Sequence, residues 1–306
     1  MFCGGRKIIL LFFLLLSGLS AKENEQTGQA FELFVKRQTY TFTPYEYTSS
    51  TRVPEKDTII INDGLRQNSK VLVPMTLRFE DLQKKYWLEI AYYEIEIINS
   101  NSAELTTRPG ATALTRKYFP AVTRSEAEIN LFKIFQPYNS LKLGFGGGGK
   151  NINKYIYGNN IPQGAFQVYH LTYGPQLGMR LDWNFSGHFS LAAMLDAFYT
   201  QGSRYSDNVI LQQNRLEYSV MTAGRQGIYR GMEVDLAFFY RFLEKYRIGV
   251  GYNTIGSWFS PLHNDTYLFT LTSTPNQNPD IKIRPDIQNG NFEKLQGVYT
   301  VLSVSF

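Results

Sequence analysis

Cysteine is almost absent from this chain of 306 residues; Cys3 is the only one. No disulfide framework or thiolate metal site can be built from it. Histidine is nearly as scarce. His170, His188 and His263 share none of the i, i+2 or i, i+4 spacings that local metal ligands use, so no metal or other cofactor is expected. Net charge is weak as well. The formal value is +5, and loss of Arg6 and Lys7 with an N-terminal leader leaves +3, too little to point to nucleic acid. Beyond Ala21 the chain has no long apolar run, which excludes a membrane-spanning helix after that point.

The N-terminus carries a recognisable pattern. Arg6 and Lys7 precede an unbroken apolar run, residues 8–16. Gly18, Leu19, Ser20 and Ala21 follow, then polar Lys22, Glu23 and Asn24. This is the layout of a secretory signal peptide covering residues 1–21. The run is too short for an anchor, which needs about 20 apolar residues. Ser20 and Ala21 stand where a lipoprotein would carry its cysteine. Residues 22–306 are then read as a single exported domain.

An exported chain without apolar helices can cross a membrane in one way, as a closed barrel whose backbone groups all pair internally. The period-2 pattern supports this reading. Met232, Val234, Leu236, Phe238, Tyr240 and Phe242 alternate with Glu233, Asp235, Ala237, Phe239 and Arg241. Tyr246, Ile248, Val250, Tyr252 and Trp258 share one face of the next segment, against Arg247, Gly249, Gly251 and Asn253. Similar alternation covers 176–185 and 188–199, with Ser186 and Gly187 as a tight turn between them. From Tyr246 to Trp258 is about 40 Å of strand, or roughly 28 Å along the normal at a tilt near 45°.

Strands are predicted near 31–48, 70–80, 86–98, 123–135, 139–149, 165–185, 188–200, 230–242, 246–258 and 295–306. Short turns fall at 81–85, 136–139, 186–187 and 243–245. Long polar connections fall at 49–68, 100–121, 150–163, 201–229 and 260–293. Outer-membrane barrels pair short periplasmic turns with long extracellular loops in this way. The fold expected is all-β: a closed antiparallel transmembrane β-barrel of about 10 strands with five long extracellular loops. Residues 215–222 and 266–272 are also strand-like and are read as hairpins projecting from loops; about 12 strands would result if both entered the membrane.

The last strand places Val298, Thr300, Leu302, Val304 and Phe306 on one face. It resembles the terminal strand of Gram-negative outer-membrane proteins, where a final Phe and alternating apolar residues are read by the barrel-insertion machinery. That resemblance implies a bacterial outer-membrane location, outer-membrane lipid and the insertion machinery as partners, and an insertion signal at Leu302, Val304 and Phe306. In size the barrel also resembles the omptin proteases. That family works with acidic residues and an Asp–His pair on the extracellular ends of its barrel. Here 100–121 holds Glu104 but no Asp, 201–229 holds Asp207 but no His, and His263 with Asp265 lies in the fifth loop. No catalytic residue is carried over, and no enzyme is expected.

Strand parity sends Arg78, Glu80, Glu89, Glu128, Lys142, Arg180, Asp182, Asp196, Glu233, Asp235, Arg241 and Arg247 into the lumen. A narrow lumen must be filled, and charges there persist only if paired, so they are read as a structural ion-pair network. Residues 144–150 read GFGGGGK, the spacing of a phosphate-binding loop, but Asn151 stands where Ser or Thr should hold magnesium and no helix follows. Gly146 to Gly149 are taken as flexible strand end and loop. His188-Phe189-Ser190 resembles the His-x-Ser of the outer-membrane phospholipases, yet lipid-facing Phe189 turns His188 and Ser190 inward. The function expected is a surface protein whose barrel displays loops for adhesion or interaction with an unknown extracellular ligand. A small channel or transport porin is the second reading, and a membrane-embedded hydrolase the third. Deleting Phe306 should leave the chain periplasmic or degraded, as read by outer-membrane fractionation. Normal outer-membrane levels of the truncated protein would contradict the insertion signal.

Overall fold

In the computed structural model the described residues are 29–44, 58–62, 70–81, 83, 85–97, 100–108, 111–119, 121–160, 164–212, 215–262, 265–272, 280–285 and 291–306. The expected signal peptide, 1–21, lies outside them. The elements are all strands: β1 (Gln29–Thr43), β2 (Thr58–Asn62), β3 (Lys70–Leu72), β4 (Met75–Asp81), β5 (Tyr86–Ile97), β6 (Ser100–Arg108), β7 (Ala111–Phe119) and β8 (Ala121–Tyr138). Then come β9 (Leu141–Asn160), β10 (Gly164–Asn184), β11 (Phe189–Gln212), β12 (Arg215–Leu243), β13 (Tyr246–Pro261), β14 (Asp265–Thr272), β15 (Asp280–Pro285) and β16 (Asn291–Ser305). Among the described residues no helix is long and apolar enough to cross a membrane.

Ten strands close into one antiparallel barrel, in the order β1-β4-β5-β8-β9-β10-β11-β12-β13-β16 and back to β1. The count of ten therefore holds. The closing seam pairs Glu32 with Ser305 and Thr43 with Lys294, and Phe306 donates its backbone N–H to the Phe31 carbonyl at 2.9 Å. One interruption falls at Pro74, which has no N–H to give a ladder. Its carbonyl still accepts from the Lys36 backbone N–H at 2.9 Å, and β3 resumes pairing with β1 above it. Lys85, in the β4–β5 turn, adopts a φ of 57°.

The outward face is apolar and aromatic. Val250 is 59% exposed and Val298 62%, values that make sense only against hydrocarbon. At the end carrying the short turns, Trp183, Phe185, Phe189 and Phe238 form a run of ring contacts, with Phe185 and Phe189 stacked at 6.4 Å. At the other end Trp258 and Phe292 pack at 4.9 Å. Two such belts are the interfacial girdles of a membrane barrel.

Two expectations need correction. Of the connection expected at 150–163, residues 150–160 are strand: β9 runs to Asn160, so Gly146 to Gly149 sit inside a strand. Residues 215–222 are not a separate projecting hairpin. They are the far end of β12, which stays paired with β11 across one bulge between Arg204 and Ser206. Residues 266–272 fall in β14, which forms a hairpin with β15 outside the ten-strand barrel, as expected, and also pairs with that far end of β12. In each case backbone ladders persist where side-chain alternation fades. The 100–121 connection holds the β6–β7 hairpin, joined by β2 in a small separate sheet.

Residue parity yields a direct check. Val250 faces out, whereas a Cβ on Gly251 would lie 2.4 Å from the Tyr299 ring. Val250→Arg should lower folding yield into lipid vesicles by about 2–4 kcal/mol of stability, since it puts a charge near the midplane. Val250→Thr loses only apolar area and should cost less. Heat-modifiable gel mobility reads the yield, and equal folding of the two variants would show the outward face to be misassigned.

Candidate functional site

The lumen is stratified. Nearest the short turns, Arg78 donates to Glu89 at 2.8 Å, and Arg180 donates to the other oxygen of Glu89 at 2.8 Å. Arg180 also grips Asp196 with both terminal nitrogens, at 2.6 and 3.1 Å. Arg78 and Arg247 approach Asp182 from two sides, at 3.6 and 3.8 Å. Arg247 also pairs with Glu32 and reaches Ser190 at 3.4 Å. Lys142 bonds Glu80 at 2.5 Å.

Midway up, Lys150 is fully buried and meets Glu126 at 2.6 Å, Glu128 at 2.5 Å and Glu233 at 3.4 Å. Gln176 completes Glu128 at 2.9 Å, and Asn253 donates to Glu233 at 2.9 Å. Asp235 takes Lys36 at 2.5 Å and the Tyr299 hydroxyl. Higher still, Arg124 pairs with Glu126 and Glu293, and Lys154 with Glu293 at 2.7 Å. Around that upper cluster lies an apolar layer that includes Tyr40, Phe42, Tyr93, Ile97, Ile156, Tyr229 and Phe259. His170 belongs to this layer, edge-on to Phe259 at 4.8 Å.

Local structure explains why these groups meet. On β9 the inward positions Gly144, Gly146 and Gly148 have no side chains, which leaves one wall bare for its neighbours. A Cβ on Gly144 would lie 2.8 Å from the Trp87 ring. Gly178 does the same for Asp196: a Cβ there would lie 1.9 Å from its carboxylate oxygen. Rings then line the cations. Arg180 lies 4.2 Å over Phe132, Lys150 lies 4.6 Å over Phe198 and Arg78 lies 4.7 Å over Trp87. Each such contact is worth about 0.5–2 kcal/mol, the more so when dry. They also offset a conflict, because Asp196 and Glu233 are direct cross-strand partners of like charge.

Most of the inward charges read from the sequence thus come together. Arg241 does not: it is half-buried at the rim, and its backbone is what bonds there, with His188. His188 is also displaced from its expected place in the lumen. It lies exposed in the β10–β11 turn, tilted against outward Tyr240 at 6.1 Å, because a turn residue escapes strand alternation. Ser190, the first inward residue of β11, is buried as expected. Glu32, Lys36, Arg124, Glu126, Lys150, Lys154 and Glu293 were missed. Their strands carry polar residues on both faces, or were taken to end before them. Among the described residues no cluster of His, Cys, Asp and Glu could hold a metal ion.

An antiparallel barrel that is apolar outside, charged inside and girdled by aromatic rings is an outer-membrane protein. A family model described as "Predicted outer membrane protein, Leptospiraceae" matches residues 27–306, and the chain belongs to that family. No curated protein matches. Among solved structures, the chain is similar to the outer membrane protease OmpT of Escherichia coli, at 10% identity and TM-score 0.48, over 91% of this chain and 96% of that one. It is also similar to the toluene transporter TodX of Pseudomonas putida, at 9% identity and TM-score 0.32, over 91% and 89%. A FadL homologue of Pseudomonas aeruginosa gives 9% identity and TM-score 0.33, over 91% and 90%. No residue role is carried from them.

The Lys150 cluster can be tested. Lys150→Met leaves Glu126, Glu128 and Glu233 sharing a buried site without their common cation. Breaking a buried pair in this way should cost about 3–5 kcal/mol. Urea unfolding from vesicles, followed by tryptophan fluorescence, measures it. A loss below about 1 kcal/mol, the scale of an exposed pair, would show that the cluster is solvated.

Proposed function

We propose that this outer-membrane barrel is a display scaffold whose working surface is the set of hairpins at its wide-loop end, offered to an extracellular ligand for adhesion or interaction. The observation that supports this most is the filled lumen. The cavity left between Lys36, Glu89, Glu128, Arg180 and Glu233 measures ≈ 60 Å³. That is room for a few waters and for no larger solute. The apolar layer above it adds a second seal. This favours a scaffold over a channel, and no catalytic residues are assigned. The lumen charges act, in this reading, as interstrand fasteners.

The strands themselves support display. Outward apolar residues on β12 stop at Ile228, yet the strand continues back to Arg215, paired with β11 across the bulge. Those extra residues extend about 43 Å along the strand. β14 and β15 widen the same ledge. Short turns at the opposite end mark the periplasmic side. Protease added to intact cells should therefore cut within 201–229 and spare Ser186 and Gly187. Cleavage at 186–187 with protection of 201–229 would invert the barrel and remove the basis for display.

A further inference from the structure

Arg37 is one of several outward cations, with Lys133, Arg230 and Lys294. Arg37 points outward and is exposed on β1, and among the described residues no ion pair or hydrogen bond involves its guanidinium. It lies six residues above Phe31, on the same face. Phe31 sits at the girdle near the short turns, where it packs on Phe79 at 4.8 Å. Six residues of tilted strand raise Arg37 by roughly 14 Å along the normal, to the upper edge of the apolar stretch of β1, where outward Phe31, Leu33 and Val35 give way to Thr39, Thr41 and Thr43. An unpaired charge at that depth is disfavoured in proportion to its distance from the interface.

The ladder places Arg37 at the end of a row across five strands: Arg37, Thr300, Val250, Phe238 and Leu191 are successive cross-strand partners. A groove of ≈ 560 Å³ follows this row over the outer wall. Its walls are mostly apolar, with Leu236, Phe238, Val250 and Val298 prominent, and Arg37 stands at its rim. Above Arg37 the wall turns polar towards the wide-loop end. Thr41 pairs with Gln296 and Thr43 with Lys294, which is exposed on the outer face. The groove joins an apolar trough to an unneutralised cation at membrane depth.

We propose that the groove seats one membrane lipid of net negative charge, its acyl chain against Leu236, Phe238 and Val250 and its phosphate on the Arg37 guanidinium. The chemistry selects this occupant. A free anion would leave the trough exposed, and an uncharged lipid would leave Arg37 unneutralised. A long side chain can reach several ångströms along the wall towards a headgroup, and a planar guanidinium binds two phosphate oxygens at once. The seat rests on the outer-membrane reading and adds a specific ligand to it.

The test folds the full chain into phosphatidylcholine vesicles with or without phosphatidylglycerol of the same acyl chains. The protein is then extracted into detergent and its retained lipid is read by native mass spectrometry. The wild type should keep phosphatidylglycerol over phosphatidylcholine by about tenfold, the scale of one charge-assisted contact. Arg37→Lys should keep the preference and Arg37→Gln should abolish it. Val250→Trp, which fills the trough and leaves the charge, should lower retention of both lipids. Equal retention of the two lipids by the wild type, or an unchanged preference in Arg37→Gln, would overturn the seat. So would displacement by glycerol phosphate as effective as by the lipid, which would mark a free-anion site. Arg37→Gln should insert into pure phosphatidylcholine at least as well as the wild type, and poorer insertion would contradict the placement of Arg37 against hydrocarbon. Failure of the wild type itself to insert would overturn the outer-membrane reading on which the seat rests.

Discussion

A charge inside a narrow barrel has left bulk water and can recover its solvation only from a partner on another strand. Removing an ion from water costs several kcal/mol even after relaxation. Lys150 shows the consequence. It stands in a fully buried position against carboxylates of the adjacent β8 and of β12, three strands away. Arg180 on β10 likewise ties β5 to β11 through Glu89 and Asp196. Each of these cations bonds one neighbouring strand and one that is not its neighbour. The second kind of bond runs across the lumen, while the backbone ladders run around it.

That cross-bracing sets the rest of the architecture. The cations are long and need room, which the glycine wall of β9 supplies. Rings from β5, β8 and β11 fill what remains, so the inner layer is a packed core. In the display reading, function falls to the two surfaces that face other molecules. One is the outer wall, where Arg37 stands at the edge of an apolar trough. The other is the ledge of β11, β12, β14 and β15 beyond the aromatic girdle.

The parts of this fold that were legible in the sequence are those where one face is purely apolar. On the lower parts of β10 to β13 and of β16 the outward residues are mostly aliphatic or aromatic, so parity could be read and the inward charges followed. β1, β5 and β8 hide their parity because they carry polar residues outward in their upper halves, Arg37 and Thr39, Glu94 and Glu96, Thr123 and Ser125. Lys36, Arg124 and Glu126 were hidden with them. The glycine run looked like a strand end because glycine weakens a strand in isolation. Its meaning lies in Trp87 and Arg180, distant residues that need the space. Lys150 and Lys154 come after that run and were taken for loop residues for the same reason. Alternation is a surface property; interstrand packing is not written in any single segment.

Cross-bracing and display both depend on a lumen sealed by paired charges and the apolar layer above them. Single-molecule conductance of the purified full chain in planar lipid bilayers measures this most directly. A sealed lumen predicts insertion, verified by heat-modifiable mobility of the same preparation, without stable unit steps of current. Reproducible ohmic steps would contradict it, showing that the ion pairs line a water-filled path and that the porin reading is the better one.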